Sequence, residues 1–145
     1  MQLTAALLAD AAVATPEGKL YIHGGGIDTL FVARVPAVHA ALAVAVTVLF
    51  EASDAGQPVD LSIALVGPTD TQLMVTRAQS SGVEFRREHP YATVVSAHTW
   101  SPLLLPDLGT YRFVVDAGAA GRVELPFTVA LLTSLTAETA TPPGE

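Results

Sequence analysis

A chain of 145 residues with a formal net charge of −7 has the size of one domain and the wrong sign for a nucleic-acid or anionic-membrane partner. Its 7 Lys and Arg are scattered, with only Arg86 and Arg87 adjacent, so no basic stripe can neutralise a phosphate backbone. Without cysteine there is no thiol catalysis, disulfide or thiolate metal site.

Leu3 to Ala14 is rich in Ala and Leu. Ala is the best helix former, so a helix stays open there. A strand is preferred, because Thr15-Pro16-Glu17-Gly18 reads as a turn into Lys19-Leu20-Tyr21-Ile22-His23, making a hairpin. A secretory signal would need positive charge ahead of its apolar core. Met1 to Val13 has none and Asp10 interrupts the run, so a cytoplasmic protein is expected. The longest apolar stretch, Ala40 to Phe50, is too short to span a membrane as a helix.

Gly24-Gly25-Gly26 follows the hairpin. The dinucleotide pattern fails because Thr29 stands at its last glycine, and Gly18-Lys19 is followed by Leu20 rather than the Ser or Thr of a phosphate loop. The glycines therefore read as a bend between strands. Ile27 to Arg34 is expected as a strand ended by Pro36, and Pro36 to Ala40 as a short turn of helix.

From here the pattern sharpens, because side chains alternate faces along a strand. Leu42, Val44, Val46, Val48 and Phe50 share one face, with the small Ala41, Ala43, Ala45 and Thr47 on the other. Val59, Leu61, Ile63 and Leu65 alternate with Asp60, Ser62 and Ala64. Gln72 to Ala78 and Thr93 to Trp100 are weaker strands, joined by Gln79 to Pro90 as a long exposed connection. Tyr111, Phe113 and Val115 alternate with Arg112 and Asp116. Val123, Leu125, Phe127, Val129 and Leu131 alternate with Arg122, Glu124 and Thr128. Gly-containing turns at Ser53–Pro58, Val66–Asp70 and Ala117–Gly121 separate these runs, and no Asn occurs to share the task. Thr133 to Glu145 has no apolar period and reads as a disordered tail to a domain spanning residues 1–132.

Roughly eight or nine short strands with regular turns imply an all-β, mostly antiparallel two-sheet sandwich. Asp107-Leu108-Gly109-Thr110-Tyr111 stands just before a strong strand. It resembles the tyrosine corner of immunoglobulin-like sandwiches, where the tyrosine hydroxyl bonds back to nearby backbone. Phe113 stands where antibody domains place a cysteine, so the resemblance is to disulfide-free relatives. It implies structural roles for Asp107, Gly109, Tyr111 and Phe113.

Asp10 at the end of an apolar segment, the Gly18-Lys19 turn, Gly24 to Gly26 and a closing Pro36 make a second pattern. Over Ala6 to Pro36 it resembles a family of short bacterial proteins known only as a domain of unknown function. The resemblance implies a compact β domain and offers no activity.

No catalytic constellation emerges. His23, His39, His89 and His98 lack metal-site spacing, and no cofactor is expected. Ser80-Ser81-Gly82 lacks the upstream glycine of a nucleophile elbow, since Ala78 stands there. Glu84, Glu88 and Asp116 offer only the carboxylate pairs any acidic protein has. His98 shares a face with Ser96 and Trp100 and is expected to pack and hydrogen-bond there. Charged residues are 14% of the chain, so much of the surface is neutral. The leading expectation is a non-catalytic protein–protein interaction or assembly module, binding itself or another protein. The alternative is a small-ligand binding sandwich using His23, Gly24, Gly25, Gly26, Asp28 and His39. A hydrolase with an unrecognised site is a distant third.

Overall fold

The computed structural model describes residues 1–85 and 89–133, in which the alternating segments fold as strands. They are β1 (Gln2–Ala14), β2 (Leu20–Gly25), β3 (Thr29–Val32), β4 (Ala37–His39), β5 (Leu42–Glu51), β6 (Val59–Val66), β7 (Gln72–Ser80), β8 (Tyr91–Trp100), β9 (Leu103–Leu105), β10 (Gly109–Asp116) and β11 (Arg122–Leu131). One sheet runs β2-β1-β5-β8, the other β3-β11-β10-β6-β7, and a small ribbon joins β4 to β9. Pairing is antiparallel except between β3 and β11, which are parallel. The fold is a two-sheet, all-β sandwich.

The inward faces follow the sequence pattern. Leu42, Val44, Val46, Val48 and Phe50 of β5 are buried against Leu61, Ile63 and Leu65 of β6 and against Tyr111, Phe113 and Val115 of β10. Aromatic rings fix the centre. Phe113 lies 4.8 Å from Trp100 and 5.9 Å from Phe127, which in turn stacks on Tyr111 at 5.4 Å. Such offset pairs add to the area each ring buries.

The outer face of β5 is buried as well. β1 pairs with β5 up to Ala9–Ala43, then continues beyond it as a hairpin with β2. Ala12 and Leu20 of that hairpin pack with Ala43 and Ala45, beside Leu7 and Ala97. Alanines on this face leave the room that close packing of the hairpin needs.

Pro126 also has a positional reason. β11 is flanked by β10 along its length, but β3 pairs only with Thr128–Leu131. The missing N–H of Pro126 therefore falls where one side of the strand is open.

Three expectations need correcting. Pro36–Ala40 contains no helical turn. Ala37–His39 is extended as β4, because Leu103–Leu105, a strand with too few residues to show a period, pairs with it. The strand expected over Ile27–Arg34 is confined to Thr29–Val32, the stretch that β11 can pair. The connection after β7 is not merely solvated, since Val83 and Phe85 pack on the core and Gly56 N–H donates to Val83 C=O at 3.2 Å. Arg86, Arg87, Glu88 and all of the expected tail beyond Thr133 lie outside the described residues.

Candidate functional site

The glycine bend is built by Asp10 and by the backbone of β1. Gly24 has φ +63°, and the Asp10 carboxylate occupies the space a Cβ would need. Gly26 N–H donates to Leu8 C=O at 2.9 Å, which ties the bend to the sheet. Asp28 uses its carbonyl to accept from Thr128 N–H at 2.8 Å, so it anchors β3 beside β11. His23 is exposed on β2, opposite Ala11, while His39 is half-buried on β4, opposite Leu103. The two histidines thus sit on separate ribbons. Among the described residues, no three His, Asp or Glu side chains gather to hold a metal ion.

The corner residues come together as their spacing implies. Tyr111 is fully buried, and its hydroxyl donates to Asp107 C=O at 2.8 Å while accepting from Asp107 N–H at 3.0 Å. Burial pushes the phenol above its ordinary pKa, so it remains protonated and able to donate. Gly109 has φ +124°, and a Cβ there would meet Pro68 at 3.1 Å. Asp107 and Gly109 therefore shape the loop that Tyr111 pins.

Sequence reasoning missed a cleft. β7 and β8 are the edge strands on one side of the two sheets, and between them lies a cavity of about 220 Å³. Val46, Val48, Phe50, Val59 and Leu61 form its apolar floor, and Ser80, Ser96 and His98 supply polar groups. The hydrogen-bonded packing expected for His98 is not found. Trp100 packs on Phe113 in a tilted pair, and among the described residues the buried Nε2 of His98 has no hydrogen-bond partner. Burial holds the imidazole below its ordinary pKa, so the ring is neutral at neutral pH. The available signal was parity, since Ser96 and His98 are in phase with Val94 and Trp100, which face the core.

A second surface lies at the end where β5 begins. Leu42 there pairs with Trp100 at the end of β8. The β1–β2 hairpin projects from this end, and the β4–β9 ribbon adjoins it. Each carries a cross-strand pair of large apolar side chains in solvent. Val13 faces Tyr21, 57% and 51% exposed, and Val38 faces Leu104, 67% and 57% exposed. Among the described residues, no helix is long and apolar enough to cross a membrane.

An all-β sandwich with a tyrosine-pinned loop is the class this geometry defines. Residues 4–130 match the model of a family described as "Family of unknown function (DUF6941)". The chain belongs to that family, and the likeness read at Ala6–Pro36 is the beginning of a match that runs nearly to the end of β11. No curated protein and no solved structure matches it.

Proposed function

We propose that this protein is a non-catalytic assembly module that binds a second copy of itself through the apolar end formed by the β1–β2 hairpin and the β4–β9 ribbon. The observation that carries this reading is the pair of exposed cross-strand contacts, Val13 with Tyr21 and Val38 with Leu104. Single exposed apolar residues need no explanation, but paired ones on projecting ribbons mark contact surfaces. Ile22 and Leu108, 37% and 39% exposed, extend the apolar character of the same elements and the loop beside them. A two-fold dimer is the commonest arrangement of soluble oligomers, in which the apolar end of one copy would meet the same end of its partner.

The domain itself is proposed to be immunoglobulin-like. Supporting this are the corner at Tyr111, the terminal β10–β11 hairpin beside it, and a strand early in the chain lying parallel to the last one. Phe113 and its ring neighbours fill the place of the disulfide in such a domain.

Light scattering over a wide concentration range tests the assembly reading. The expected mass is twice the 15.0 kDa of one chain. The double variant Val38→Asp, Leu104→Lys should be monomeric and keep the folded circular-dichroism spectrum, since both side chains already face water. A wild-type monomer at every concentration refutes self-association. Capture of a different purified protein by that monomer, abolished in the variant, would reassign the surface to a heterologous partner.

A further inference from the structure

We propose that acid opens the dimer, because protonation of His23, which shares the outward face of the β1–β2 hairpin with Val13 and Tyr21, drives the two copies apart. This rests on the assembly reading above and adds its regulation.

Strand register puts His23 in the contact. Val13 pairs with Tyr21 and Ala11 with His23, so the histidine stands on the next rung of the same face. Two residues of strand separate it from Tyr21 by about 7 Å. The face points away from the sheet. Ala12 and Leu20, on the alternate face, pack with Ala43 and Ala45, whereas Val13 and Tyr21 are more than half in solvent and Ala11 and His23 are exposed. A contact that covers Val13 and Tyr21 therefore covers His23 as well.

Charge sets the sign. Lys19 is in phase with Tyr21 and His23, since its carbonyl accepts from Thr15 N–H at 2.8 Å and carries the ladder one rung toward the turn. β1 brings Ala9, Ala11 and Val13 to this face, and Ala97 of β8 packs beneath the other one. Asp10 alternates to that other face, where it lies against Gly24; Glu17 stands in the turn, and Asp28 follows the glycine bend. The β4–β9 ribbon presents Val38 and Leu104, with His39 alternating to its opposite side and Asp107 in the loop after it. An imidazolium held in this contact gives up its hydration among apolar side chains and meets Lys19 and the second His23 as like charges. A neutral ring carries neither cost. An exposed imidazole ordinarily titrates near pH 6.5, so at pH 5.5 about ten are charged for each neutral one. A dimer that admits only the neutral form discharges two, and its dissociation constant should rise by up to about a hundredfold between pH 7.5 and 5.5.

Sedimentation equilibrium of the full chain at the two pH values reads this ratio, with circular dichroism confirming the fold at both. In His23→Gln the pH dependence should vanish, whatever the absolute affinity. His39→Gln should keep it, because His39 alternates away from Val38. His23→Lys fixes the positive charge and should be monomeric at neutral pH with a folded spectrum, which frees the test from any loss of stability in acid. A wild-type monomer at neutral pH would refute the assembly reading and this inference with it. A dimer of equal affinity at both pH values, a response that survives His23→Gln, or a dimeric His23→Lys would overturn the switch alone and leave the apolar end standing. Association that tightens in acid would place a carboxylate against His23 and overturn it too.

Discussion

The loop before β10 offers the sharpest test of how this fold is held, because three consecutive side chains play three different roles. Tyr111→Phe removes the hydroxyl and with it both bonds to Asp107. Each bond is worth about 1 kcal/mol, and Asp107 is exposed enough for water to repair part of the loss, so about 1–2 kcal/mol is expected. Phe113 is fully buried between Trp100 and Phe127, and Phe113→Ala leaves a cavity with rings on both sides. That costs about 3–5 kcal/mol, a large part of the roughly 5–15 kcal/mol a domain has to lose. Arg112 points to the opposite face. Its guanidinium reaches Asp70 at 2.9 Å and Glu124 at 3.4 Å with a third of the side chain in solvent, so Arg112→Ala should cost under about 1 kcal/mol. Urea unfolding separates the three. With a slope of about 2 kcal/mol per molar, Tyr111→Phe should lower the midpoint by roughly 0.5–1 M, and Phe113→Ala by two to three times as much. If Arg112→Ala proved the most damaging, the inward register of β10 would be wrong. If Tyr111→Phe left the midpoint unmoved, the corner would be packing alone.

Two further outcomes follow from the glycines. Gly109→Ala should lower stability by more than about 1 kcal/mol in the same assay, since positive φ and a close approach to Pro68 both oppose a Cβ; a neutral result would show that the loop can relax. Gly24→Ala should cost about 1–2 kcal/mol from its left-handed backbone, and adding Asp10→Ala should recover little of it. Full recovery would mean that the clash with the Asp10 side chain, not the backbone, sets the cost.

Strands whose two faces differ in size or polarity were legible, and the rest were not. Val59 to Leu65 and Tyr111 to Val115 each bury one face and wet the other, so period two appears in the sequence. β5 was legible through large side chains facing small ones, but nothing in Ala43 or Ala45 says that Ala12 and Leu20 would cover them. That contact depends on β1 outrunning β5, which is a property of strand length in three dimensions. β4 and β9 have three residues each, and no period fits in three residues. Their existence is a consequence of pairing with each other. Of the residues expected at a site, Gly24, Gly26 and Asp28 are explained by backbone geometry and hydrogen bonding. Ser96 and His98 were visible as polar residues in phase with an apolar strand face. What their phase could not reveal was the gap between two edge strands into which that face opens.

His98 also links the cleft to pH. Its pKa in the folded protein lies below the ordinary 6.5 because burial penalises the imidazolium. As pH falls, the unfolded chain therefore takes up this proton first, and protonation favours unfolding. The stability that the neutral ring permits is fully present above about pH 6.5 and is lost as pH falls through the folded-state value. His23 and His89 are exposed and His39 half-buried on other elements, so the wild-type curve alone does not isolate His98. The difference between wild type and His98→Leu does. Plotted against pH, it should be flat above about 6.5 and should move in favour of the variant below it. Parallel stability curves for the two proteins would remove His98 as a buried neutral group. An NMR titration of His98 centred at or above 6.5 would do the same.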